Sequence, residues 1–232
     1  MSQLIDNLNT IESIKTDIKA AIENKGVDMT GVSFPGYASK IGEISGGGTV
    51  GWDQKDITEG NIEITNLDNS ASFVASSAFM NNTTIQTVNL PYATSVGNYA
   101  FMDCSSLKQV DLPMCRYINN GCFSGCRSLA QVSLPMCSKI DGYAFRNCSS
   151  LTQMSLPICS KIDNYAFHNC TSLSIITLGY SSVCSLGGSD VFSKTQITSS
   201  TGSIYVPTSL VESYKLAKNW SYFSTQIFPI PE

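Results

Sequence analysis

Residues 107–129 read L-K-Q-V-D-L-P-M-C-R-Y-I-N-N-G-C-F-S-G-C-R-S-L, and residues 129–151 read L-A-Q-V-S-L-P-M-C-S-K-I-D-G-Y-A-F-R-N-C-S-S-L. The second stretch is the first displaced by 22 positions. The same displacement relates Leu90, Leu112, Leu134, Leu156 and Leu178, and Pro91, Pro113, Pro135 and Pro157 follow four of them. It also relates Phe79, Phe101, Phe123, Phe145 and Phe167, as well as Ile85, Leu107, Leu129, Leu151 and Leu173. Several apolar columns at one period define a repeat array, in which each unit buries its apolar face only against its neighbours.

Within a unit, Val110 and Leu112 alternate with Gln109 and Asp111, the period of a half-buried strand. A turn follows at the Pro. The second half, such as 140–148, is too short for a regular helix, and a turn or short 3₁₀ segment there tucks Phe145 inward.

The string from Leu107, L-x-x-V-x-L-P-x-C-x-x-I, resembles the leucine-rich-repeat pattern, with Cys115, Cys137 and Cys159 at its Asn/Cys position and Ala93 in the first clear unit. The longer combination L-P-x-C-x-x-I-x-x-x-A-F-x-x-C-x-x-L, carried by 112–129, 134–151 and 156–173, resembles the BspA-like, or treponemal, subclass. Cys122 stands where the later units have Ala144 and Ala166. Asn82 takes the cysteine position early, and Phe192 falls three residues beyond the period after Gly187-Gly188. The resemblance implies an α/β-type right-handed solenoid of 22-residue units, in a family associated with bacterial surface adhesion and recognition. Stacked strands make a long ladder surface with no enclosed pocket, so the expected function is binding without catalysis.

Composition agrees with that class. Hydrophobic residues make up 42% of the 232-residue chain and charged residues only 14%, so the core is sizeable and the surface mostly neutral and polar. A net charge of -4 offers no basic field for nucleic acid. No apolar run approaches a membrane span, and no signal peptide is visible at the start.

The flanks divide the chain into four parts. Residues 1–45 form an attachment or oligomerisation segment, because Leu4, Leu8, Ile11, Ile18 and Ile22 make the apolar stripe of an amphipathic helix. That stripe either docks on its own domain or joins copies of the chain as a short coiled coil, and self-association is the preferred reading. Residues 46–60, opening with Gly46-Gly47-Gly48, read as a linker; 61–197 are the solenoid; 198–232 are a capping module with Ile204-Tyr205-Val206-Pro207, Tyr214 and Trp220. Ile18-Lys19-Ala20-Ala21-Ile22, Lys25-Gly26-Val27 and the Phe34, Tyr37, Ile41 series resemble attachment segments of phage tail and fibre proteins. That likeness implies a virion component contacting the bacterial surface; the alternative is a cell-surface or extracellular adhesion protein.

Chemical readings are weak. Cys104, Cys115, Cys126, Cys137, Cys148, Cys159 and Cys170 lie 11 apart, half a repeat, and alternate between two columns. They contain no C-x-x-C pair, and the chain has one histidine, so no metal site is expected. A ladder of reduced, buried thiols is expected over disulfides. His168 near Cys170 hints at a thiol protease, but Cys170 belongs to a repeated column and His168 sits where other units have Met102, Ser124 and Arg146. Asp141 and Asp163 read as turn formers. Nothing calls for a cofactor.

The candidate binding surface is therefore the outward strand positions, above all Gln109, Gln131 and Gln153 with Asp111, Ser133 and Ser155. Such residues also suit a merely solvated sheet. Tyr143 and Tyr165, in a column with Tyr99, are a second candidate, being either exposed contact residues or packing between coils. A protein or a surface glycan is the expected partner.

Overall fold

The computed structural model describes residues 66–68 and 73–231. The attachment segment, the linker and the start of the solenoid, as read from the sequence, fall outside them.

Each unit contributes two strands. In chain order these are β1 (Asn66–Asp68), β2 (Phe73–Val74), β3 (Thr87–Asn89), β4 (Ser95–Val96), β5 (Gln109–Asp111), β6 (Tyr117–Ile118), β7 (Gln131–Ser133) and β8 (Lys139–Ile140). They continue through β9 (Gln153–Leu156), β10 (Lys161–Ile162), β11 (Ile175–Leu178) and β12 (Ser185–Leu186). All pairings are parallel, and in the central repeats the register moves by one 22-residue unit at a time, as in Val88↔Val110 and Val110↔Val132, while Asn66↔Thr87 and Lys161↔Ser185 at the two ends depart from it. The solenoid of stacked repeats expected from the sequence is present. Even-numbered strands β2 to β12 form a continuous six-stranded back sheet, which the sequence reading did not separate from the turn because two residues are too few to show alternation.

Between the two sheets lies the core. The leucine, phenylalanine, cysteine and Val96/Ile118/Ile140/Ile162 columns are buried. Phe79, Phe101, Phe123, Phe145 and Phe167 stack with centroids 5.0–5.4 Å apart, and Phe192 extends the stack at 5.7 Å. The surplus before Phe192 is absorbed earlier, between Leu178 and Cys184, because Lys161 already pairs with Ser185 ahead of the 3₁₀ turn over Ser189–Phe192.

The turns are held by main-chain geometry. Ser77, Tyr99, Gly121, Tyr143 and Tyr165 all have positive φ, and so do Asn81, Asp103, Gly125, Asn147 and Asn169 four residues later. Two left-handed residues per turn aim amides along the stacking direction: Tyr99 N donates to Asn120 O at 2.9 Å and Asp103 N to Ser124 O at 2.7 Å. Non-glycine residues accept that conformation at a cost of roughly 1–2 kcal/mol each, offset here by a hydrogen bond to the next coil.

The array ends in a terminal module. β13 (Ser203–Val206) pairs with β11, β14 (Ile227–Pro229) pairs with β13, and the short helix α1 (Val211–Leu216) lies between them in sequence. Its Tyr214 and Trp220 are fully buried. Tyr214 Oη accepts from Cys184 N at 2.8 Å, and Trp220 Nε1 donates to Cys184 O at 2.6 Å.

The front sheet parts at one place. β1, β3, β5 and β7 form one sheet, while β9, β11, β13 and β14 form another. Elsewhere the carbonyl before each front strand accepts two amides of the next coil: Gln86 O from Lys108 and Gln109, Lys108 O from Ala130 and Gln131, and Thr152 O from Ser174 and Ile175. Ala130 O accepts neither Thr152 nor Gln153. At the far end Leu90 N and Leu112 N donate to Asp111 O and Ser133 O at 3.1 Å, but Leu134 N has no such partner. The break coincides with a change in the inward column from Val88, Val110 and Val132 to the longer Met154. The half-buried Val132 is less covered than Val88 and Val110.

Candidate recognition surface

Alternation places every second residue of a front strand outward, so the polar positions of 22-residue units line up. Gln109 and Gln131 lie in register on neighbouring strands, as do Asp111 and Ser133. Gln153 and Ser155 are in register with Ile175 and Thr177. Gln109, Gln131, Gln153, Ser133 and Ser155 are exposed and Asp111 is half-buried. The expected ladder face thus falls into two blocks separated by the parting between β7 and β9. A cleft of about 330 Å³ occupies the parting, lined by Ala130, Gln131, Val132, Gln153, Met154, Ser155, Ile175 and Thr177. The sequence implies no enclosed pocket, and this cleft is open to solvent; the Val-to-Met change is its signal in the sequence.

Tyr143 and Tyr165 lie elsewhere, on the turns. Their rings stack at 5.1 Å and 10°, and the Arg146 guanidinium sits 5.9 Å from the Tyr143 centroid. Packing between coils is present in this column, and Tyr143 is at the same time 40% exposed. Hydrogen bonding to Asp190 and that carboxylate's charge raise the Tyr165 pKa above its ordinary value. A second cleft, of about 390 Å³, is lined by Asn120, Asp141, Gly142, Tyr143, Asp163, Asn164 and Tyr165. Lys139 and Lys161 neutralise its acids, at 2.6 Å from Asp141 and 2.9 Å from Asp163. Asp141 O and Asp163 O accept the amides of Ala144 and Ala166, which closes each turn.

A third exposed feature was missed from sequence. Tyr92, Met114 and Met136, each directly after the repeated Pro, are 60%, 50% and 43% exposed, and the half-buried Ile158 continues the row. The same period of 22 carried that signal.

The cysteines are free thiols, all buried. One column, Cys104, Cys126, Cys148 and Cys170, donates to the carbonyls of Phe79, Phe101, Phe123 and Phe145 at 3.0–3.1 Å. The other, Cys115, Cys137 and Cys159, donates to the carbonyl two residues on. Cys184 extends this second column, displaced in sequence by the same insertion that delays Phe192. Burial pushes the Cys115 thiol up to about 11 and Cys137 to about 12. Cys122, Cys126 and Cys148 are pushed well up by burial, and Cys184 by its hydrogen bond to Cys159 and by burial. A thiol held protonated is a poor nucleophile and a poor metal ligand. His168 stands edge-on to Tyr165 at 5.6 Å, and Cys170 is committed to the Phe145 carbonyl. Burial, then Lys194 and Arg146, lower the His168 pKa. Among the described residues no cluster of three His, Cys, Asp or Glu could hold a metal, and no helix is long and apolar enough to cross a membrane.

Comparison with known proteins follows the same line. A leucine-rich repeat protein from Bacteroides ovatus ATCC 8483 is similar in structure at TM-score 0.56 and 24% identity, over 73% of this chain and 43% of its own. A leucine rich cell surface protein from Faecalibacterium prausnitzii A2-165 is similar at TM-score 0.44 and 25% identity, over 59% of this chain and 44% of its own. The chain thus spans less than half the length of either protein. No curated protein matches it. The profile of the BspA type leucine rich repeat region matches six copies, over residues 58–158 and 94–210. With its repeats covered by that profile from Ile85 to Leu178, the chain belongs to the BspA-type leucine-rich-repeat family.

Proposed function

We propose that this protein is a non-enzymatic recognition protein displayed at a bacterial surface, binding a protein or glycan through its front ladder. The observation that carries the reading is the contrast between the two sides of each front strand. Inward residues are spent on the core, while Gln109, Gln131, Gln153, Ser133 and Ser155 are repeated, exposed and uncharged. Neutral polar ladders suit broad contact more than phosphate or membrane binding. Family membership supports an interaction role, and the burial of every thiol, with Cys170 donating to the Phe145 carbonyl, argues against thiol catalysis.

The narrower reading is a phage tail or head fibre component, anchored and oligomerised through residues 1–45 and located on the virion. Its support is the N-terminal likeness around 18–41. The surface-protein reading is preferred because the family match falls on the repeats, where the candidate binding face also lies.

Binding of labelled full-length protein to intact bacterial and host cells tests the proposal. Replacing Gln109, Gln131 and Gln153 together by Arg should abolish binding while leaving the fold intact, since all three are exposed. Undiminished binding of that variant would remove the ladder face from the function.

A further inference from the structure

We propose that Met114 and Met136 form a paired sulfoxidation site, where a small hydroperoxide oxidises two thioethers ahead of all nine thiols, and that this oxidation weakens recognition by the front ladder. The second clause rests on the recognition reading above and names how that face is regulated.

The sulfur of this chain is sorted by position. Reactivity toward a peroxide follows thiolate character and exposure. All nine cysteines are buried, each at 0% exposure, so the groups that would ordinarily react first are shut away from the oxidant. Among the described methionines, Met154 is 1% exposed and Met80 and Met102 are half-buried. Met114 and Met136 are 50% and 43% exposed. A peroxide that leaves the fold intact therefore meets these two thioethers first.

The repeat brings them together. Each directly follows the repeated Pro, Pro113 or Pro135, and the strands that lead into them, β5 and β7, are paired in register. Their coils stand one inter-strand spacing apart, about 4.8 Å. Tyr92, Ile158 and Tyr180 hold the same position in the other units, so the two methionines sit inside a row that is apolar at every rung. At each sulfur the lone pair attacks the outer oxygen of the peroxide and the O–O bond breaks. The proton of that oxygen passes to the departing one, which leaves as an alcohol. Sulfur is oxidised by two electrons to the sulfoxide, and the peroxide is reduced.

The product changes the surface and spares the core. A sulfoxide is polar where the thioether was apolar, so the middle of the row loses its apolar character. Met114 and Met136 lie three residues beyond Asp111 and Ser133, round the turn from the front strands, and the row therefore borders the ladder. A partner laid across Gln109, Gln131 and Ser133 reaches that border, and its apolar contact there is what oxidation removes.

Full-length protein is treated with tert-butyl hydroperoxide at pH 7, and peptide mass spectrometry and cell binding are followed on the same samples. Met114 and Met136 should each gain one oxygen at least roughly tenfold faster than Met154 or any cysteine, which react only when the chain opens. Affinity for cells should fall by roughly tenfold as the two sulfoxides form, the order of one lost apolar contact. Methionine sulfoxide reductases should restore it. Met114→Leu with Met136→Leu, both at exposed positions, should remove the fast oxygen uptake and make binding equal before and after treatment. Oxidation of Met154 or of the thiols at the same rate overturns the proposal. So does full binding by protein carrying both sulfoxides, or an equal loss of binding in the leucine variant. If either occurs while the arginine variant of the ladder still loses cell binding, the regulation falls and the recognition face stands. If the arginine variant keeps its binding, the recognition face falls and the regulation with it.

Discussion

The indole Nε1 of Trp220 donates to the carbonyl of Cys184 at 2.6 Å, joining the terminal module to the last rung of a cysteine column. Tyr214 holds the amide of the same cysteine. Both main-chain polar groups of Cys184 would otherwise be buried without partners beneath the exposed end of the array. Trp220→Phe keeps most of the apolar volume and removes the donor, so it should cost about 1–3 kcal/mol. Trp220→Ala adds a cavity against Phe192 and should cost about 3–5 kcal/mol. Urea unfolding of both variants checks this; equal losses would mean that the hydrogen bond contributes nothing.

Leu134 sits in the middle of the leucine column and is 1% exposed. Leu134→Ala should cost about 2–5 kcal/mol, measured by chemical denaturation. A loss below about 1 kcal/mol would contradict its place in the core.

The buried thiols make stability depend on alkaline pH. The folded pKa values of Cys115 and Cys137 lie above the ordinary 9.0, at about 11 and about 12, so at these two thiols the native state retains protons that the unfolded chain releases. Stability is therefore fully present below pH 9 and falls as pH rises through 9 toward 11 to 12. Each such thiol contributes up to about 1.4 kcal/mol per pH unit to the slope. Denaturation midpoints at pH 7, 9 and 10.5 test the sign, and a midpoint that rises over this range would refute it. Native thiol labelling should be slow at pH 7 and accelerate with unfolding.

Gly121 shares the left-handed column with four non-glycine residues, so its conformation alone does not demand glycine. Space does: a Cβ there would lie 2.5 Å from the Tyr99 ring. Gly121→Ala should destabilise by about 1–3 kcal/mol through overpacking. Tyr99→Ala should recover much of that loss in the double variant. Additive losses would show that the ring is not the obstacle.

Light scattering tests the assignment of residues 1–45 to self-association. Full-length protein should be a homo-oligomer at micromolar concentration and a chain starting at Gly51 a folded monomer. A monomeric full-length chain would remove the oligomer and with it the main support for the fibre reading.

Much of this was legible in the sequence, because a repeat multiplies each weak signal by the number of units. Phe101, Phe123 and Phe145 recur at 22 and stack as that spacing requires; Gln109 and Gln131 recur at 22 and face outward in register. Features that occur once were harder to see. Cys184 was not grouped with Cys159, since 25 residues separate them and only the folded turn shows the surplus being absorbed. The cleft beside Ala130 depends on missing hydrogen bonds, a property of no single side chain. Tyr99 and Tyr143 adopt a conformation that composition alone would not assign to tyrosine.

The phenylalanine stack also bears on how such a chain changes length. Each ring meets only the one above and the one below, so duplicating a whole 22-residue unit introduces no contact that the array does not already make. Gene duplication in multiples of that unit can therefore lengthen or shorten the recognition face while core and turns stay the same. Any other increment must be taken up in a turn, as the residues before Phe192 are, and it adds nothing to the ladder. The repeat length thus sets the step by which reach can evolve, independently of which outward residues each new rung carries.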